Sequence, residues 1–263
     1  MTTLLPDLPA SLRLERRDAV AVLTLARAHK RNALDDDTIL GIGRFFAALP
    51  AWAKVVLLAA EGDHFSAGLD LSELSERDAV EGVHHSRMWH KALGEIQGAG
   101  VPVIAVLKGA VVGGGLELAT AAHLRVAEES TFFALPEGQR GLFVGGGASV
   151  RVSRLIGAQR MTDMMLTGRV LSSAEGADLG LADYRVAAGE GLTKALELAD
   201  RIASNSPVTN FAVLQALPRI AEADPETGYV LESLMAAVAQ SSTEAKQRMA
   251  DFVAGRGPKV AAR

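Results

Sequence analysis

The chain has no cysteine among its 263 residues. That excludes disulfides, thiolate nucleophiles and thiolate metal sites, and it suits a reducing compartment. There is no basic excess either: 27 Lys and Arg stand against 31 Asp and Glu, a formal net charge of −4. This balance argues against a nucleic-acid footprint. In residues 1–11 no basic segment precedes Leu4-Leu5, and Pro6, Asp7 and Pro9 interrupt the run, so no signal peptide is expected. The most apolar stretch, residues 101–122, is broken by Pro102, Lys108, three glycines and Glu117. It reads as a strand, a turn and a helix, not as a membrane span. No Gly-x-Ser-x-Gly elbow, Walker A pattern or dinucleotide-binding Gly-x-Gly-x-x-Gly occurs, so serine-hydrolase, P-loop and Rossmann readings have no anchor. A soluble cytoplasmic protein without membrane or nucleic-acid partners is expected.

What remains is a chain 49% hydrophobic, long enough for one large domain or one domain with an appendage. Residues 19–25, 55–59, 103–107, 124–127 and 131–134 read as strands, and a last short strand is expected at 184–186. Asp35, Asp36 and Asp37 crowd the first turn of a helix, where negative charge is favourable. After residue 148 helices take over: short ones at 153–156, 161–166 and 174–179, then 191–204, 207–220, 227–240 and 243–253. The fold class is α/β, with a core over 1–190 and a helical region over 191–263. The apolar stripe of Val230, Leu231, Leu234, Ala237 and Val238 fits either an intrachain core or a subunit interface.

Two glutamates stand out. Glu117 lies in Val111-Val112-Gly113-Gly114-Gly115-Leu116-Glu117-Leu118-Ala119, and Glu137 in Phe132-Phe133-Ala134-Leu135-Pro136-Glu137-Gly138. A carboxylate without a neighbouring cation, entering a buried helix, costs several kcal/mol or takes up a proton. Each adjoins glycines, which let backbone N–H groups approach a ligand. The three glycines before the apolar helix would point free N–H donors at an oxyanion. The small-residue loop Phe65-Ser66-Ala67-Gly68-Leu69-Asp70-Leu71 offers a second donor, and losing one such donor costs roughly 3 to 4 kcal/mol. The bland reading is that the glycines permit close packing, with Glu117 as a capping residue.

These segments, in this order, resemble the crotonase superfamily of enoyl-CoA hydratases and isomerases over residues 13–260. The match rests on Lys30-Arg31-Asn32-Ala33-Leu34, the 65–71 loop, residues 109–118, Leu135-Pro136-Glu137 and Leu166-Thr167-Gly168-Arg169. The resemblance implies a spiral of ββα turns, with C-terminal helices that mediate homotrimers, commonly paired into hexamers. It implies that the thioester oxygen lies between the N–H groups of Leu69 and Gly114. Glu117 would activate water, Glu137 would protonate Cα, and the Gly145 backbone would help to hold the water. Lys30, Asn32, Ala33, Ser66, Ala67 and Asp70 fall in segments that hold the nucleotide part of CoA, and Lys30 is a candidate to face a phosphate. Coenzyme A would be part of the substrate, with no separate cofactor and no metal.

The chain departs from the family pattern at Ala28-His29 and at Gly141-Leu142-Phe143-Val144-Gly145-Gly146-Gly147, where Phe143 is expected to shape the acyl pocket. Residues 83–90 carry His84, His85 and His90, but the first two diverge on a helix and do not suggest a metal. Met88 and Trp89 are expected to face inward. The leading expectation is hydration of a 2-enoyl-CoA. Alternatives are a hydratase for a small or aromatic acyl group such as methylthioacryloyl-CoA, with or without thioester hydrolysis, an isomerase, and a non-catalytic CoA-ester or RNA-binding scaffold.

Overall fold

The computed structural model describes residues 7–73 and 77–256. Residues 1–6, part of the stretch read for a signal peptide, and 257–263, the end of the expected helical region, lie outside them.

Leu12–Arg17 (β1) and Val20–Leu25 (β2) form an antiparallel hairpin that turns at Asp18, with φ of +51°. β1 was not expected from the sequence: it is an edge strand rich in charge, which blunts the apolar alternation. Asp36–Ala47 (α1) follows, its N-terminus capped by the Asp35 side chain, which accepts from Thr38 N–H at 2.8 Å. Val55–Ala60 (β3) leads to Ala79–Gln97 (α2), which begins with a capping box between Asp78 and Glu81. Val103–Leu107 (β4), Ala110–Val112 (β5) and Gly114–Ala119 (α3) make one strand–strand–helix turn. Leu124–Glu128 (β6) and Phe132–Ala134 (β7) repeat the strand pair before Ala148–Ile156 (α4) and Ala158–Thr167 (α5). Leu171–Ser172 (β8), Ser173–Leu179 (α6), Tyr184–Val186 (β9) and Gly191–Ala203 (α7) complete this part.

The strands form two sheets. The larger has the order β1-β2-β3-β4-β6-β9, parallel at every pairing except β1–β2. β3 and β4 are buried at every residue, as strands covered on both faces must be, and this explains their unbroken apolar runs. The smaller sheet, β5-β7-β8, is continued towards earlier turns by parallel bridges Ser66–Val111 and Leu34–Leu69. Each chain turn thus contributes one rung to each layer.

The chain divides into two compact units, Met1–Arg201 and Ile202–Arg263. In the second, residues 207–220 were expected to form one helix. They instead form Pro207–Phe211 (α8), a π-helical turn at Ala212–Ala216, and Leu217–Glu222 (α9). The cause is Pro218, which lacks an N–H and whose ring crowds the carbonyl four residues back, so the ladder widens ahead of it. Pro225–Ser241 (α10) and Thr243–Val253 (α11) follow. Among the described residues no helix is long and apolar enough to cross a membrane.

The loop between β2 and α1 is held by Asn32, which is buried and has φ of +53°. Its Oδ1 accepts from Arg27 N–H at 2.9 Å, and its amide donates to the carbonyls of Glu61 and His64 at 2.9 and 2.8 Å. Asn32→Ala strips three backbone groups of their partner and is expected to lower the unfolding free energy by about 3 kcal/mol. Urea unfolding measures this, and a loss within experimental error of zero would remove the clasp role.

Candidate active site

Glu117 is only 4% exposed on the wholly buried helix α3. Its Oε1 accepts from Gly146 N–H at 2.7 Å and Ala148 N–H at 3.0 Å. These donors belong to the turn entering α4, where Gly147 has φ of +106°. One turn into α4, the Arg151 guanidinium donates to the Glu117 carbonyl at 3.3 Å and to the Gly146 carbonyl. Burial lowers the Arg151 pKa and the nearby Glu117 opposes that shift. Sequence reading missed Gly146, Ala148 and Arg151. The second glycine triplet, residues 145–147, was the available signal, and nothing local connected it to Glu117.

Glu137 lies in the 3₁₀ turn Pro136–Arg140. A Cβ on Gly113 would lie 2.7 Å from its Oε1, so the approach of Glu137 requires glycine there, as does the φ of +54°. Glu137 Oε2 is buried with no hydrogen-bond partner among the described residues. Burial raises its pKa, and the charge of Glu117 adds to the rise, while its own backbone and Arg140 oppose it.

The N–H groups of Leu69 and Gly114 take no acceptor among the described residues. Their segments lie in close apposition: a Cβ on Gly114 would be 3.3 Å from Leu69 N, and a Cβ on Gly68 would be 2.7 Å from the Val112 carbonyl. Glu117, Glu137, Leu69, Gly114 and Gly145 all line one cavity of about 290 Å³, as does Ala67. Trp89, 3% exposed, also borders it, and the packing of its ring leaves no room for a Cβ on Gly114 or Gly146. Ser86 Oγ donates to the Gly145 carbonyl at 2.6 Å.

The remaining residues of the expected CoA segments do not line that cavity. Lys30 Nζ contacts Asp70 Oδ2 at 2.9 Å and Ser72 Oγ at 3.2 Å. Arg27 donates to the same Asp70 oxygen at 2.7 Å and to the Ala33 carbonyl at 2.7 Å. Bonds from Ser72 first, then Lys30 and Arg27, hold the Asp70 carboxyl well below the usual carboxylate range. Ser66 is buried, its hydroxyl donating to the Asn32 carbonyl and accepting from Gly68 N–H. These side chains shape the loops beside the cavity.

Asp36 is more than a helix-terminal charge. Its Oδ1 lies 2.7 Å from His85 Nε2 and accepts from Trp89 Nε1 at 3.3 Å. Among the described residues no group of three His, Cys, Asp or Glu side chains is arranged to hold a metal.

Layered strand–strand–helix turns with two glutamates facing paired backbone donors define a crotonase-fold protein. Solved structures agree: an enoyl-CoA hydratase from Bacillus anthracis is 27% identical with a TM-score of 0.88, covering 95% of this chain and 98% of that one. A provisionally named enoyl-CoA hydratase from Rhodopseudomonas palustris is 56% identical with a TM-score of 0.92, covering 94% and 96%. Residues 15–262 match the family model for enoyl-CoA hydratase/isomerase, and the chain belongs to that family. A relative, the short-chain-enoyl-CoA hydratase of Clostridium acetobutylicum, is 30% identical over 92% of this chain and 94% of its own length.

Because burial raises the Glu137 pKa, the native state binds a proton more tightly than the unfolded chain. Its contribution to stability is present below the ordinary carboxylate pKa and is lost as pH rises through the folded value. Glu137→Gln should therefore melt higher relative to wild type at about pH 8 than at about pH 4. A melting difference that does not change with pH would rule out the buried carboxyl as the cause.

Proposed function

We propose that the protein is an enoyl-CoA hydratase that adds water across the 2,3 double bond of a 2-enoyl-CoA thioester. The observation that carries this reading is the convergence of Glu117 and Glu137 on one cavity with the unengaged N–H groups of Leu69 and Gly114. On this reading the thioester oxygen accepts from both N–H groups, which stabilise the enolate charge as it develops. Glu117 has one oxygen fixed by two backbone donors, leaving the other to orient a water and take its proton as the oxygen attacks Cβ. The Gly145 backbone helps to hold that water. Glu137, whose proton burial holds more tightly, delivers a proton to Cα. Proton exchange between the two carboxyl groups and solvent then restores the starting state. The segments of Lys30, Asn32, Ala33, Ser66, Ala67 and Asp70 hold the nucleotide part of the thioester.

Glu117→Gln and Glu137→Gln are each expected to lower the hydration rate by roughly 10²- to 10⁴-fold. The assay follows enoyl-thioester absorbance with crotonyl-, long-chain 2-enoyl-, cinnamoyl- and methylthioacryloyl-CoA, with a thiol reagent to report free CoA. Near-wild-type rates in either variant would remove its assigned role. Free CoA would indicate coupled hydrolysis, and silence across the panel would favour an isomerase or a non-catalytic CoA-ester or RNA-binding scaffold.

The second unit supports self-association as a homotrimer or a homohexamer. Its helix α10 exposes Tyr229, Val230, Leu234 and Val238, and α11 exposes Met249 and Phe252. Such apolar faces are covered in stable assemblies. Light scattering should report three or six chain masses, and a monomer at micromolar concentration would overturn the assembly.

A further inference from the structure

The cavity carries cationic side chains that a neutral acyl group would not need. Glu117 and Glu137 are the acidic side chains that line it, and two guanidinium side chains, Arg77 and Arg140, line it as well. Arg140 is exposed and makes no ion pair or side-chain hydrogen bond among the described residues, its charge acting on Glu137 from further off. Arg77 reaches a carboxylate, Asp36, at 3.8 Å, and that carboxylate is already engaged by His85 and Trp89. The same cavity carries the exposed apolar side chains Leu71, Leu142 and Phe143, the last 72% exposed. Methylenes suit those side chains, and an anionic end suits the guanidinium groups, which bind carboxylates through paired N–H donors. A volume of about 290 Å³ is at the small end for a ligand site and limits the length of chain it encloses.

We propose that the acyl group accepted here is short and ends in a carboxylate, which Arg140 and Arg77 bind. The substrate class is thus the CoA monothioester of a short unsaturated dicarboxylic acid. This deepens the hydratase reading and rests on it for the chemistry, though the binding itself does not need that chemistry. The phosphates of CoA share the same anionic character, and they are the rival ligand for these arginines.

Glutaryl-CoA and pentanoyl-CoA differ by a terminal carboxylate in place of a methyl group, and neither has a double bond to hydrate. Calorimetric titration of the wild-type protein should give at least about tenfold tighter binding of glutaryl-CoA, with the preference shrinking towards unity in R140Q and R77Q. Equal affinities in the wild type would overturn the proposal. If R140Q weakened glutaryl-CoA, pentanoyl-CoA and free CoA by the same factor, the arginine would serve CoA phosphates and the proposal would fall. Hydration assays on glutaconyl-CoA and 2-pentenoyl-CoA separate the two readings. A carboxylate preference in binding with neither compound hydrated sinks the hydratase and leaves the acyl class standing. Hydration of both compounds at equal efficiency, with equal binding, does the reverse.

Discussion

The site depends on how closely two stretches of backbone approach each other. Segment 66–69 runs against segment 111–115, joined by the Ser66–Val111 bridge. A Cβ on Gly115 would lie 2.5 Å from the Ser66 carbonyl, and one on Gly68 would lie 2.7 Å from the Val112 carbonyl. No side chain fits at either place without separating the strands, so glycine is a steric requirement here. The result is that Leu69 N–H and Gly114 N–H are neighbours without acceptors among the described residues. An unpaired donor at a partly buried position is costly, and a ligand oxygen that accepts from both recovers that cost. The two-layer strand path makes this apposition possible, because each chain turn lays one rung beside the previous one.

The second constraint is the unequal support of the two glutamates. Glu117 Oε1 is anchored by two backbone N–H groups, and Arg151 packs against the same turn. Glu137 Oε2 has no hydrogen-bond partner among the described residues. Both carboxyl groups lie in one cavity, so ionising both at once is disfavoured by their mutual repulsion. Burial favours the protonated form of Glu137. On the proposed reading this difference in environment, not a difference in residue type, assigns one glutamate to the water and the other to Cα.

Much of this was legible in the sequence because it is local. The buried strands β3 and β4 read as apolar runs, and the five positions that the family resemblance implied line one cavity. What sequence could not show is what lies across the fold. Gly146 and Ala148 hold Glu117 from 29 and 31 residues away, and Arg151 reads in sequence as an ordinary helix arginine. Asp36 was read as a helix-terminal charge, yet it reaches His85 and Trp89 about fifty residues later. Asp35, its neighbour, is the residue that caps α1. The break at Pro218 was readable in principle, since an interior proline forbids a regular helix. The amphipathic pattern continued through it and concealed the break.

The division of labour between backbone and side chains has a further consequence. On the proposed reading the groups that meet the thioester oxygen are N–H groups, which substitutions of Leu69 other than proline leave in place, whereas the groups that meet the acyl end are side chains from α2 and residues 140–146. Selectivity could then change without disturbing the oxyanion donors, were the two parts mechanically independent. They are not. Trp89, on α2, packs tightly against both Gly114 and Gly146, and Ser86, one turn earlier, donates to the Gly145 carbonyl at 2.6 Å. A close-packed interior transmits displacement, so any change that shifts α2 to admit a different acyl group also moves the turn that holds Glu117. Residues at the outer rim, Arg140 and Phe143 among them, lack that coupling because they are exposed. On the proposed reading acyl preference is free to vary at the rim, while α2 is constrained by the turn that holds Glu117.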